Sequence, residues 1–174
     1  MTNTLRYNFC YKCAKPLTVD NEGRPICEQH GILWPLHRNA VCGDCIIVND
    51  KNEILLVQRA TEPHLGFWGI PGGFTDYGEH PEDAAKREAL EETGWSVESV
   101  KLLGVYLEDC PGDKSSEHRV SGTYVMHPIE KTGKSDSEVS DQGWFPLDNL
   151  PEKIPEAHLI RINDFIALDT KQQK

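Results

Sequence analysis

The 174-residue sequence has no apolar run approaching the ~20 residues that a membrane-spanning helix requires. Its first residues, MTNTLRYNFCYKC, contain no apolar stretch of the kind a secretory signal carries. It has no internal repeat and no low-complexity tract. It is also short of cations: 18 Lys and Arg stand against 28 Asp and Glu, for a net charge of -10. A field of that sign does not draw polyanions, which argues against general nucleic-acid binding. A phosphate compound bound by such a chain needs divalent metal between it and the carboxylates. These absences lead to the expectation of a cytoplasmic protein with no membrane partner. Its six cysteines then read as thiols or metal ligands rather than disulfides. The length suits one ordinary domain with a small appendage.

The appendage is the N-terminal stretch. Cys10 and Cys13 form a C-x2-C, and Cys27 and His30 follow as a C-x2-H thirteen residues on. Zinc takes four tetrahedral N or S ligands, and a two-residue gap lets one tight turn present two of them. Lys12 and Lys15 offset thiolate charge, and Pro16 and Pro25 punctuate the segment. A piece this small has little core, so structural Zn²⁺ would supply its stability. The expected division is a zinc ribbon over residues 1–36 and a larger domain over 37–174. A second pair, Cys42 and Cys45, lies in the strand-like AVCGDCIIV. Residues three apart on a strand point to opposite faces, so this pair reads as buried packing.

Beyond the ribbon, strand and helix signals alternate. Val41 to Val48 and Ile54 to Gln58 flank the polar turn Asn49–Asn52 and read as a hairpin. A Gly- and Pro-rich loop spans Glu62 to Gly73. Pro81, with Glu82 and Asp83, opens a helix over 81–92 that Gly94 closes. Val97–Leu107 and Arg119–His127 read as strands, Trp144-Phe145 as a short segment, and Pro155 as the start of a C-terminal helix. Leu159, Ile162 and Ile166 share one face of that helix. The fold class is α/β, a three-layer sandwich.

Within the helix at 81–92, Glu88, Glu91 and Glu92 project from one face. The run EALEE holds no cation, and acidic groups sit badly at the negative end of a helix dipole. Arg87 is placed to pair with Glu91 or to reach back to Glu79. A bound divalent cation answers the remaining repulsion, and carboxylate oxygens suit Mg²⁺ or Mn²⁺.

The stretch closely resembles the Nudix box, G-x5-E-x7-R-E-U-x-E-E-x-G-U with U aliphatic. It runs from Gly73 through Glu79 to Arg87-Glu88-Ala89-Leu90-Glu91-Glu92-Thr93-Gly94-Trp95, and all seven fixed residues match. Ala89 and Trp95 are unusual at the two U positions. The preceding WGIPGG also resembles the family's lead-in. The N-terminal pattern is similar to the zinc ribbon that precedes some Nudix domains, with His30 in place of the usual fourth cysteine. The resemblance implies a Nudix-type α/β/α sandwich with a mixed sheet, behind a small ribbon. It implies an enzyme that hydrolyses a nucleoside diphosphate linked to another group. In that reading Glu88 and Glu92 hold Mg²⁺, Glu91 adds a ligand or accepts a proton, and the Gly72 carbonyl completes a metal shell. Glu79 and Arg87 support the cluster. A catalytic carboxylate outside the box is expected at Glu138, with Asp141 as the alternative. Homodimers are frequent in the family.

The linked group is harder to read. A proline sixteen residues beyond the box, here Pro111, is a feature of ADP-ribose hydrolases. The SQPWPFP-like motif of NADH-cleaving relatives is missing between residues 96 and 130. The expectation is ADP-ribose or a related nucleoside diphosphate sugar, reached by the polar loop at 109–117 and its Lys114. A dinucleotide such as NADH is the alternative. A ligand-sensing module without turnover is another, which the retained glutamates disfavour.

Overall fold

The computed structural model describes residues 8–19, 21, 24–32, 40–62, 64–109 and 118–172. The expected boundary after residue 36 lies outside the described residues, as do Cys110, Pro111 and Lys114. The chain divides into two compact units, Met1–Arg38 and Asn39–Lys174.

In the first unit, β1 (Thr18–Val19), β2 (Pro25–Cys27) and β3 (Gly31–Ile32) form a small antiparallel sheet with β2 in the middle. Its buried cluster consists of Cys10 and Cys27, with Cys13 and Leu17 packed against them. Cysteines take the place of a hydrophobic core.

The second unit contains β4 (Ala40–Ile47), β5 (Glu53–Arg59), β6 (Trp68–Gly69), β7 (Gly72–Phe74), α1 (Pro81–Thr93), β8 (Trp95–Asp109), β9 (His118–Lys131), β10 (Val139–Pro146) and α2 (Glu156–Gln172). One sheet has the order β10-β5-β6 and is antiparallel. The other has the order β7-β4-β9-β8 and is mixed, since β4 runs parallel to β9. Two expectations need correction. β4 and β5 do not form a hairpin: they meet only at a Val48–Ile54 bridge and then enter different sheets. Both strands are apolar on both faces, so each fills the interior of its own sheet. The stretch read as a loop over 62–73 contains β6 and the start of β7.

Alternation along the central strands sorts the core into two layers. Ile46, Val48, Ile54 and Leu56 pack with Ile162 and Phe165 of α2. Cys45, Ile47 and Leu55 pack with Ala85 and Ala89 of α1. The helices therefore cover opposite faces, as the sandwich requires. Small residues bring α1 close: a Cβ on Gly43 would lie 1.9 Å from the Pro81 carbonyl oxygen. The helix starts at Pro81, with His80 as its N-cap accepting from the Glu82 N–H at 3.2 Å. It ends at Gly94, left-handed at φ 74°, whose N–H bonds the Leu90 carbonyl. The two loose box positions are packing sites. Ala89 is fully buried, and Trp95 stacks edge-on against Trp144 at 5.9 Å.

Candidate active site

Arg87 organises the acidic face of α1. Its guanidinium grips both oxygens of Glu79 at 3.0 Å, and Nη1 reaches Glu88 at 2.8 Å and Glu91 at 3.0 Å. Nη2 also donates to the Phe74 carbonyl at 2.9 Å, which ties the helix to β7. One cation thus answers three carboxylates, where the sequence suggested a choice between Glu79 and Glu91. These contacts hold Glu79 below the usual carboxylate range and push the Arg87 pKa up.

Glu92 is arranged differently. It is 9% exposed, and its Oε2 accepts the Gly72 N–H at 3.0 Å. Burial pushes its pKa up to about 8 against the pull of that bond, and Glu88 and Asp136 add to the rise. Burial likewise raises Glu88, with Arg87 opposing and Glu91 and Glu138 contributing. The glycine pair threads between carboxylates. A Cβ on Gly73 would lie 2.4 Å from Glu88 Oε1, and one on Gly72 would lie 2.3 Å from Asp44 Oδ1. A side chain at Gly73 would have to push the Glu88 carboxylate aside, and one at Gly72 would also meet the Asp44 backbone.

These groups border a cleft of about 640 Å³, counting its open mouth, lined by Glu92, Gly72, Gly73 and Glu138 among others. The loop before β10 brings Glu138 there. The Asp136 N–H bonds the Glu91 carbonyl at 3.0 Å, the Glu138 N–H bonds Asp136 Oδ1 at 2.9 Å, and the Glu138 carbonyl accepts from Ala60 at 2.7 Å. Asp141 does not line the cleft; its carboxylate accepts the Gln142 N–H.

Sequence reasoning missed other residues of the cleft lining, Asp44, Glu108, His158 and Trp68 among them. Asp44 is buried in β4, which raises its pKa to about 6 even though Arg161 and Ser121 favour the carboxylate. His158 accepts the Ile70 N–H on Nδ1 at 3.1 Å, and its ring occupies the space a side chain on Gly69 would need, 3.0 Å from that Cβ. Burial, reinforced by Arg161, depresses the His158 pKa to about 4. The sequence did hold two signals. Asp44 is a charge inside an apolar strand, and His158 and Arg161 share the apolar face of α2 with Ile162 and Phe165.

The N-terminal residues converge as their spacing implied. The ligand atoms of Cys10, Cys13, Cys27 and His30 all lie within 4.8 Å of one another. The Cys10 Sγ–His30 Nδ1 separation is 3.4 Å, and Cys13 Sγ–Cys27 Sγ and Cys27 Sγ–His30 Nδ1 are each 3.6 Å. Tetrahedral Zn–S bonds of ~2.3 Å place sulfurs roughly 3.7 Å apart, so the group has the size of a metal site. Among the described residues this is the only such group gathered about one point; the carboxylates of α1 are not. Cys42 and Cys45 are buried and form no disulfide among the described residues, and Cys45 lies beside the Pro71 and Ala85 carbonyls.

A family model for the NUDIX domain matches residues 37–165. The chain belongs to the Nudix family. It is a Nudix hydrolase, of the class that acts on phosphorus-containing anhydrides. A relative named ADP-ribose pyrophosphatase, from Methanocaldococcus jannaschii, is 36% identical over 127 residues, covering 73% of this chain and 73% of its own length. The NAD-capped RNA hydrolase NudC of Haemophilus influenzae is 29% identical over 161 residues, covering 89% of this chain and 58% of its own. Among solved structures, the MutT Nudix hydrolase of Burkholderia pseudomallei superposes with a TM-score of 0.66 at 32% identity, over 73% of this chain and 98% of that one. No helix among the described residues of this Nudix chain is long and apolar enough to cross a membrane.

Proposed function

We propose that this Nudix hydrolase cleaves the diphosphate of a nucleoside diphosphate joined to a second group, with ADP-ribose or a related sugar as substrate and Mg²⁺ or Mn²⁺ as cofactor. The observation that carries the reading is Glu92. A buried carboxylate that accepts the Gly72 N–H beside Glu88, with Arg87 committed to three other acids, suits a divalent cation at the cleft. Oxygen donors of this kind fit Mg²⁺. Glu88, Glu92 and the Gly72 carbonyl would hold it, with Glu91 as a further ligand or proton acceptor. When bound, such a cation neutralises the diphosphate, polarises a P–O bond and lowers the pKa of water. Glu79 and Arg87 keep the helix face in register with β7. Glu138 faces the cleft near Glu88 and takes the proton of the attacking water. In the N-terminal unit, Cys10, Cys13, Cys27 and His30 hold structural zinc.

The ADP-ribose choice is supported by the relative of that name and by Pro111. The NudC likeness favours a dinucleotide as the second reading, and the missing motif after the box weighs against it. The test is hydrolysis with Mg²⁺ of a panel containing ADP-ribose, NADH and a nucleoside triphosphate, in ¹⁸O water. The expected result is AMP and ribose 5-phosphate formed fastest from ADP-ribose. Faster cleavage of NADH or of the triphosphate reverses the ranking. Glu92→Gln should cut kcat by roughly a hundredfold or more while the fold survives. An unchanged kcat would remove Glu92 from the metal site.

A further inference from the structure

Arg161 is 1% exposed on α2, yet it reaches three strands. Nε donates to Thr123 Oγ1 at 3.1 Å and lies 3.4 Å from Asp44 Oδ2; Nη1 holds Glu108 Oε1 at 2.6 Å and the Ala157 carbonyl at 2.8 Å. The guanidinium also lies 5.0 Å from the centre of the Tyr106 ring. This network is poor engineering for stability alone. Nη2 is buried without a hydrogen-bond partner among the described residues, and one cation serves two carboxylates. Buried ion clusters of this kind contribute little to stability, and an unsatisfied buried donor costs free energy. What the network does achieve is placement. Asp44 and Glu108 both line the cleft, each with one oxygen gripped from beneath. Glu108 Oε2 accepts no hydrogen bond among the described residues, and its side chain is 16% exposed.

We propose that Glu108 is a specificity-determining residue that receives the vicinal hydroxyls of a ribose of the substrate, and that Arg161 is the positioning residue that aims it. The inference rests on the reading of the site as a nucleoside diphosphate hydrolase. A carboxylate fixed through one oxygen offers lone pairs to donor hydrogens, and a vicinal diol supplies two. A phosphate set directly against Glu108 is repelled by its carboxylate; the cations of the cleft, Arg59 and Arg119, are further members of its lining. Hydroxyl oxygens also accept, and the cleft provides for that. Because His158 Nδ1 accepts the Ile70 N–H, its proton sits on Nε2, which has no acceptor among the described residues. Glu108 is near enough to His158 to act on it electrostatically, so acceptor and donor share one wall. The ribose could be that of the nucleoside or that of the second group.

Steady-state kinetics of wild type, Glu108→Gln and Arg161→Lys on three compounds tests this. ADP-ribose carries both diols, P²-ethyl ADP only the nucleoside diol, and P²-ethyl 2′-deoxy-ADP neither. Glu108→Gln should raise KM about tenfold or more for compounds bearing the recognised diol, with a much smaller change in kcat. A rise confined to ADP-ribose identifies the distal ribose. A rise for ADP-ribose and P²-ethyl ADP, but not for the deoxy compound, identifies the nucleoside ribose. Arg161→Lys keeps the charge but loses the fork, and it should repeat the pattern of Glu108→Gln; if it does not fold, Glu108→Gln decides. Equal changes for all three compounds, or none, overturn the inference. Wild type that cleaves none of the three overturns the functional reading as well, so the two failures are distinguishable.

Discussion

A methyl group on Gly73 and one on Gly43 would both collide, but with different things. At Gly73 the obstacle is Glu88 Oε1, the far end of a flexible side chain, at 2.4 Å. At Gly43 it is backbone, the Pro81 carbonyl oxygen at 1.9 Å and the Ala85 nitrogen at 2.8 Å. Gly73→Ala should therefore fold with nearly wild-type melting but displace Glu88. Its turnover should drop by roughly tenfold or more and require more Mg²⁺. Gly43→Ala should force α1 off β4 and lose about 3 kcal/mol or more. Melting curves together with Mg²⁺ titrations of activity separate the two. Wild-type kinetics in Gly73→Ala would mean that the position of Glu88 is immaterial to catalysis.

At the scale of elements, α2 carries a pH response. The His158 pKa is about 4 in the fold, depressed by burial and then by Arg161, against an ordinary value of 6.5. The unfolded chain binds this proton below 6.5 while the fold resists it until about 4. Stability from His158 is thus complete above 6.5 and is lost as pH falls through that window, by at most roughly 1.4 kcal/mol per pH unit. His158→Asn, which keeps an acceptor but does not titrate, should flatten the difference between unfolding free energies measured by denaturant at pH 7 and pH 5. An identical slope in both proteins would show that His158 is not the source. The same helix shows what was legible in advance. α1 could be read because its signals are local: a proline, a closing glycine and charges three and four apart. α2 was recognised by Leu159, Ile162 and Ile166, but that apolar stripe concealed the polar groups within it. Arg161 gains meaning only from partners on β4, β8 and β9, and His158 from Gly69 and Ile70, which the fold brings together from distant parts of the chain. The hairpin expectation failed for the same reason. A polar turn between two apolar strands specifies the turn, while the choice of sheet depends on strands that come later.

At the scale of the whole molecule, the two units rest on different physics. Asn39–Lys174 has two apolar layers, whereas Met1–Arg38 has a cluster of cysteines. Met1–Arg38 should depend on metal. Protein purified without chelator should contain about one equivalent of zinc, and Cys13→Ser should lose it together with the lower-melting part of its thermal transition. Zinc near zero in fresh wild type would reject this. The Cys10, Cys13, Cys27 and His30 cluster was legible because residue spacing is a local property. The lining by Gly69 and His158 was not, because its shape depends on a volume shared between β6 and α2. The His158 ring fills the space beside Gly69, so neither residue can be chosen alone. A bulky residue at 69 demands a small one at 158, and the reverse holds as well. The two positions behave as a single adjustable spacer in the lining of the cleft. A lineage exchanging bulk between them could reshape what the cleft admits and leave the chemistry as it was.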